Sequence, residues 1–166
     1  MEKFSIAIGG DHAGFPMKAA IVEFVRGLGH AVEDCGSHDP APVDFPDITR
    51  AVCERVLDGR ARRGILVCGT GVGAAIAANK IPGIRATVCH DVYSAHQSVE
   101  HDDVNVAAIG AQVIGIKAAE DCLRAFLSAE FRTEDHFRRR VAKLAELELR
   151  SARELLGLDP AARQRP

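Results

Sequence analysis

The sequence contains no tryptophan, one tyrosine and two methionines in 166 residues, so any core must be built from aliphatic side chains and seven phenylalanines. No apolar run approaches the roughly 18 residues that a membrane span requires. Neither charge dominates: 21 Lys and Arg stand against 23 Asp and Glu, mixed along the chain, for a net charge of −2. That balance creates no long-range field to gather nucleic acid or anionic lipid, and neither is expected as a partner. There is no CxxC pair, and the five cysteines (Cys35, Cys53, Cys68, Cys89 and Cys122) are an odd number. A disulfide framework and a structural zinc site are therefore not expected. All but Cys68 are expected to be buried as small apolar side chains. The opening MEKFSIAIGGDHAG lacks the charged, apolar and small-residue order of a signal peptide, and a cytoplasmic location is expected.

The composition that remains, 47% hydrophobic and 27% charged, is that of a globular chain. One domain is expected over residues 1–158, with 159–166 as a loose polar tail. Short β-rich runs alternate with helical periodicity. Strands are predicted at Phe4–Ile8, Ala31–Cys35, Gly64–Val67, Arg85–Cys89 and Val104–Ile109. Helices are predicted at Pro16–Leu28, around Ile48–Leu57, after the glycines at 68–73, around Tyr93–Glu100, at Ile116–Leu127 and at Glu134–Leu156. Gly64-Ile65-Leu66-Val67 is apolar throughout, as a central parallel strand covered on both faces should be. The alternation argues for a parallel sheet with helices on both faces, and ligands of such sheets bind beyond the carboxyl ends of the strands.

Three polar clusters fall at those ends. In GGDHAG (9–14), Asp11 suits hydrogen bonds to hydroxyls and His12 suits a phosphate; helix capping by Asp11 and an exposed His12 is the plainer alternative. In CGTGVG (68–73), three glycines let backbone amides approach an anion at a helix start. This string lacks both the Lys-Ser/Thr ending of a P-loop and the spacing of the dinucleotide fingerprint. Cys68 at this position should feel the amides and the helix dipole, which favour thiolate and are expected to lower its pKa. Thr70 would add a hydroxyl. The third cluster, CHDVYSAHQSVEHDDVN (89–105), supplies His90, His96, Glu100, His101, Asp102 and Asp103. His96 and His101 are five residues apart, off the i, i+4 spacing of a helical metal pair, so a single acid/base histidine is expected and no metal.

Together with VEDCG, DFPD, GILVCGTGVGAAIAANKIPGIRA, YSA, EHDDVNVAAIGAQVIG and RRRVAKL, these segments resemble the ribose-5-phosphate isomerase type B family, which includes galactose-6-phosphate isomerases. The similarity runs from about Ile6 to about Leu147. It implies a Rossmann-like three-layer α/β/α sandwich with a five-stranded parallel sheet and a long C-terminal helix. It also implies a homodimer or dimer of dimers with shared active sites, no metal or other cofactor, and isomerisation of an aldose phosphate to its ketose. By the family pattern Cys68 is the base, and His101 from the neighbouring subunit assists ring opening. Asp11 and His12 contact substrate, Gly69, Thr70, Gly71, Val72 and Gly73 cradle the enediolate, and Arg140 binds phosphate. The helix near 134–156 would carry Arg140 to a partner's site.

Three positions depart from the pattern of a pentose-phosphate enzyme: Asp102 replaces an asparagine, Gln112 an arginine, and His136 a second phosphate-binding arginine. Arg138 and Arg139 are the candidates to compensate. A guanidinium fork is not easily replaced, so the substrate alternatives are ribose 5-phosphate, a tetrose 4-phosphate or a hexose 6-phosphate. A non-catalytic sugar-phosphate binding module is the rival class.

Overall fold

A computed structural model describes residues 2–158, so the predicted tail at 159–166 lies outside the described residues. The elements run β1 (Ser5–Gly10), α1 (Phe15–Gly27), β2 (Ala31–Asp34), α2 (Phe45–Leu57), β3 (Arg63–Cys68), α3 (Val72–Ala78), β4 (Ala86–Val88), α4 (Val92–Asp102), β5 (Val106–Gly110), α5 (Ile116–Ser128) and α6 (Asp135–Leu155). All five strands are parallel, in the order β2-β1-β3-β5-β4. Every predicted element is present, with ends shifted by one to a few residues. The largest shift is at the start of α2, which begins at Phe45 rather than near Ile48; the helix after the glycines starts at Val72 and ends at Ala78, ahead of Asn79 and Lys80.

The chain divides into two compact units at Phe131/Arg132. In the first, alternation along the strands sorts side chains onto two unlike faces. Ile6, Ile8, Ile65, Val67 and Ile109 join Ile21 and Val25 of α1 and Leu123 and Phe126 of α5 in one cluster. The intervening Ala7, Leu66, Val106 and Ala108 join Val52 and Cys53 of α2 and Ala74 and Ala78 of α3 in the other. Each fully buried Ile, Leu or Phe contributes on the order of 1.5–3 kcal/mol. The first face therefore carries most of the apolar stabilisation, while the alanine-rich face brings α3 close to the sheet.

Local signals set the helix ends. Pro16 and Pro46 lie in the first turns of α1 and α2, where a missing N–H costs nothing. Asp91 caps α4 by accepting the Ser94 amide at 2.7 Å. The second unit is helical. Arg132 and Arg140 place their guanidinium carbons 5.2 and 5.9 Å from the centre of the Phe137 ring. None of the described helices is long and apolar enough to cross a membrane.

Candidate active site

β1 connects outward to β2 on one side, while the rest of the sheet grows from its other side, so the strand order reverses between β1 and β3. At such a switch point two loops diverge and leave a crevice at the strand ends. Gly10 lies opposite Val67 in the ladder, so the next residues, Asp11 and Cys68, emerge together. The Asp11 amide donates to Val67 O at 3.1 Å. Its carboxylate is buried, and Oδ1 accepts the Gly14 amide at 2.8 Å. This bond lies in the turn before α1, whose N-cap is Gly14 with no side-chain cap, so Asp11 does not cap the helix as the plainer alternative had it. The bond holds the carboxylate at the strand end from which Cys68 emerges, where it favours the thiol over the thiolate.

Glycine 14 is a packing requirement. A β-carbon there would stand 1.9 Å from Val67 O and 2.7 Å from the Cys68 nitrogen. Only a bare backbone lets the turn into α1 ride over the end of β3. On the other side, Gly71 caps α3 in the left-handed region at φ 77°, which turns the chain from strand to helix. The Thr70 hydroxyl accepts the Val72 amide at 3.3 Å. Gly73 faces the ring of Phe45, whose nearest carbon would lie 3.1 Å from an added β-carbon. Gly69 O accepts the Gln112 amide at 2.9 Å, and the Gln112 side chain also lies against Gly69.

The expected acidification of Cys68 is not found. Burial pushes its thiol up first, and the adjacent Asp11 carboxylate pushes it further, as hydrogen-bond acceptor and as negative charge. The amides of Gly71 and Gly69 act in the expected direction but are outweighed. Sequence reading missed this because Asp11 lies 57 residues away and becomes a neighbour only through the β1–β3 pairing. Cys53, Cys89 and Cys122 are buried as expected, whereas Cys35 is half-buried.

His12 is exposed, and its Nδ1 accepts the Val43 amide at 3.3 Å. His101 lies in the last turn of α4, with Nε2 3.6 Å from Glu100; His96 lies 3.8 Å from the same carboxylate. Asp102 ends α4 and is exposed. His90 accepts the Gly110 amide at 3.0 Å through Nε2, which ties it to the end of β5. Among the described residues no three His, Cys, Asp or Glu side chains converge as metal ligands. His136 and Arg140 are one turn apart on α6, exposed within their own unit, as are Arg138 and Arg139.

One supporting pair went unread in the sequence. Lys18 is buried, with Nζ 2.6 and 2.8 Å from the two oxygens of Asp34. Asp34 also accepts the Gly36 amide at 2.9 Å, and Gly36 O accepts the Gly10 amide at 2.6 Å. The chain of bonds braces the end of β1 just before Asp11. Its signal was available: Lys18 occupies the same helical stripe as Ile21, Val22 and Val25.

The arrangement defines a class first: a Rossmann-like α/β protein whose thiol, carboxylate and glycine amides meet at the switch point of an open parallel sheet. Residues 6–144 match the Ribose/Galactose Isomerase family. Among relatives, the D-erythrulose-4-phosphate isomerase of Pectobacterium atrosepticum is 43% identical over 130 residues, covering 76% of this chain and 84% of that protein. Ribose-5-phosphate isomerase B of Escherichia coli is 41% identical over 145 residues, covering 87% and 97%. The solved ribose-5-phosphate isomerase B of Clostridium thermocellum superposes with a TM-score of 0.86 at 44% identity, over 89% of this chain and 99% of the other. The chain belongs to the Ribose/Galactose Isomerase family and is a sugar-phosphate isomerase.

Proposed function

We propose that this enzyme interconverts ribose 5-phosphate and ribulose 5-phosphate through an enediolate, with Cys68 carrying the proton between C1 and C2. The observation that carries this reading is the placement of Cys68 at the end of β3, between a buried carboxylate and the amides of Gly69 and Gly71. The thiolate removes the C2 proton of the aldose and becomes a thiol. It then returns that proton to C1 while the O2 hydroxyl proton passes to O1, and the ketose leaves with no net change in the protein. Negative charge collects on the enediolate oxygen meanwhile. Amides fixed along 69–73, with the Thr70 hydroxyl, stabilise it without reorganising.

In this reading two chains share each site. His101 of a neighbouring copy assists ring opening, and Arg140 with His136, on α6, reaches the phosphate. Asp11 and His12 take substrate hydroxyls and phosphate, with Val72, Asp102 and Gln112 shaping the remainder. Fixing the phosphate holds the reacting carbons against the sulfur. The enzyme works in the cytoplasm, as a homodimer or a dimer of dimers, without metal or nucleotide.

A tetrose 4-phosphate is the second reading. It is favoured by the replacement of two guanidiniums by Gln112 and His136 and by the carboxylate of Asp102. The 43% identity to an erythrulose-4-phosphate isomerase points the same way. A four-carbon 4-phosphate cannot close a furanose through its esterified oxygen, which removes the demand for ring opening. Steady-state assays of ribose 5-phosphate, erythrose 4-phosphate, erythrulose 4-phosphate and a hexose 6-phosphate decide between them. The pentose reading expects the highest kcat/KM on ribose 5-phosphate. A tenfold advantage for another sugar, about 1.4 kcal/mol of transition-state binding, overturns it. Binding of all four without turnover would mark a non-catalytic module.

A further inference from the structure

We propose that Asp11 is a positioning residue that keeps the proton on Cys68 in the free enzyme and releases it when substrate hydroxyls occupy the carboxylate. The inference rests on the reading of Cys68 as the base and adds how that base is switched on.

The geometry starts with the β1–β3 ladder, which delivers both side chains to the same crevice. Asp11 is only 6% exposed, and its Oδ1 is tied to the Gly14 amide. The carboxylate therefore cannot swing away from the sulfur, and α1 is locked onto the strand end through Gly14. The groups acting on the sulfur from the surrounding elements are few. Asp11 approaches from the β1 side, and the amides of Gly69 and Gly71 approach from the turn into α3; among the described residues Asp11 is the charged group that acts on it. These oppose one another: the carboxylate accepts from S–H and repels S⁻, while the amides favour S⁻. Burial sides with the carboxylate, and the resting group is the thiol.

A thiol is no base, so turnover requires that this balance tip. A sugar hydroxyl that donates to Asp11 spreads the carboxylate charge and competes for the oxygen the thiol uses. The Gly69 and Gly71 amides are then opposed by burial alone; the thiol proton leaves to solvent, and thiolate stands beside the C–H bond it must break. An unoccupied site keeps its sulfur protonated, where it is a poor target for oxidants and electrophiles.

The test is the pH dependence of iodoacetamide alkylation at Cys68, followed by peptide-resolved mass spectrometry on the native protein and on Asp11→Asn. Asparagine keeps an oxygen for the Gly14 amide but turns an N–H donor toward the sulfur. The alkylation midpoint of the variant should fall by about one unit or more. At neutral pH that gives about tenfold more thiolate and about threefold faster labelling, because the more acidic thiolate is a weaker nucleophile. Isomerase activity should fall in the same variant. A purely structural role for Asp11 would lower the midpoint only by exposing Cys68, which amide hydrogen exchange at residues 66–70 reads separately; a fall that comes with lost protection there overturns the proposal. An unchanged or raised midpoint overturns the proposal. So does a wild-type midpoint below that of a free cysteine peptide, a result that needs no variant to fold. Substrate control has its own readout: in wild type the acid limb of kcat should lie at lower pH than that of kcat/KM, since the first reports the complex and the second the free enzyme. Coincident limbs overturn the release step. Alkylation is read without turnover, so it separates failure of the Asp11 assignment from failure of the isomerase reading.

Discussion

β3 carries an ionisable group at each end, and the two ends have been built for opposite purposes. Arg63 opens the strand and Cys68 closes it. Arg63 is buried, with its guanidinium donating to the carbonyls of Phe126 and Ala129, the latter at 2.6 Å. It also stands 5.1 Å from the centre of the Phe126 ring and 5.7 Å from that of Phe4. Burial lowers its pKa to about 10, and nearby Arg62 adds to the effect, yet the group remains charged throughout the neutral range. Partners close around it and leave it nothing further to do. Cys68 is only half-buried, and its neighbours pull in contrary directions. A buried ion with agreeing partners holds a fold together, whereas a group whose partners disagree can be tipped by a ligand. A cavity of about 280 Å³ opens at the Arg63 end, lined by Glu2, Phe4, Arg62, Arg63, Leu127 and Glu130 among others. Its cations are already engaged, Arg62 with Glu2 and Arg63 with the end of α5.

The contrast breaks most sharply at Cys68. Cys68→Ser is expected to cut kcat/KM by about 10²–10⁴-fold, the usual weight of a positioned base. Its effect on urea stability should stay within about 0.5 kcal/mol, since the change is nearly isosteric and half-exposed. Activity above a tenth of wild type would remove the sulfur from the chemistry. At the other end, Arg63→Met should destabilise by about 2–4 kcal/mol by stranding two carbonyl acceptors at the end of α5. Turnover per folded molecule should not change; a selective loss of kcat would mean that the two ends communicate. Gly14→Ala is the smallest change and the one that blurs the comparison. The added methyl overlaps Val67 O, with an expected cost of about 1–3 kcal/mol from overpacking. The same push displaces Cys68 from Asp11, so activity should fall out of proportion to stability. Proportionate losses would mean that the turn relaxes without moving the thiol.

Much of this was legible beforehand, for identifiable reasons. The uniformly apolar Gly64–Val67 announces a strand covered on both faces, and the structure buries all four residues. Pro16 and Gly29 mark where α1 starts and stops, and Gly29 takes the positive φ expected of a helix terminator. Cys68, Thr70 and Gly71 come from one contiguous string, so their grouping needed only the strand-to-helix turn. What stayed hidden depends on contacts between strands. The charge beside Cys68 comes from β1, and the brace behind Asp11 joins a lysine on α1 to an aspartate ending β2. Periodicity places Lys18 on the buried stripe of α1 but names no partner for it, and it carries no information about the carboxylate beside Cys68. The thiol's expected acidity failed on this point: its amides were visible in the sequence and its carboxylate was not.

The phenyl ring of Phe45 against Gly73 has a consequence for how relatives of this enzyme can diverge. With 3.1 Å between a would-be methyl and the ring, a larger residue at 73 would require the Phe45 ring to give by a few tenths of an ångström. A lineage that enlarges the residue at the start of α3 does so more easily once the one that opens α2 is smaller. The turn into α3 thus packs against a side chain of α2 that has no hydrogen-bonding group.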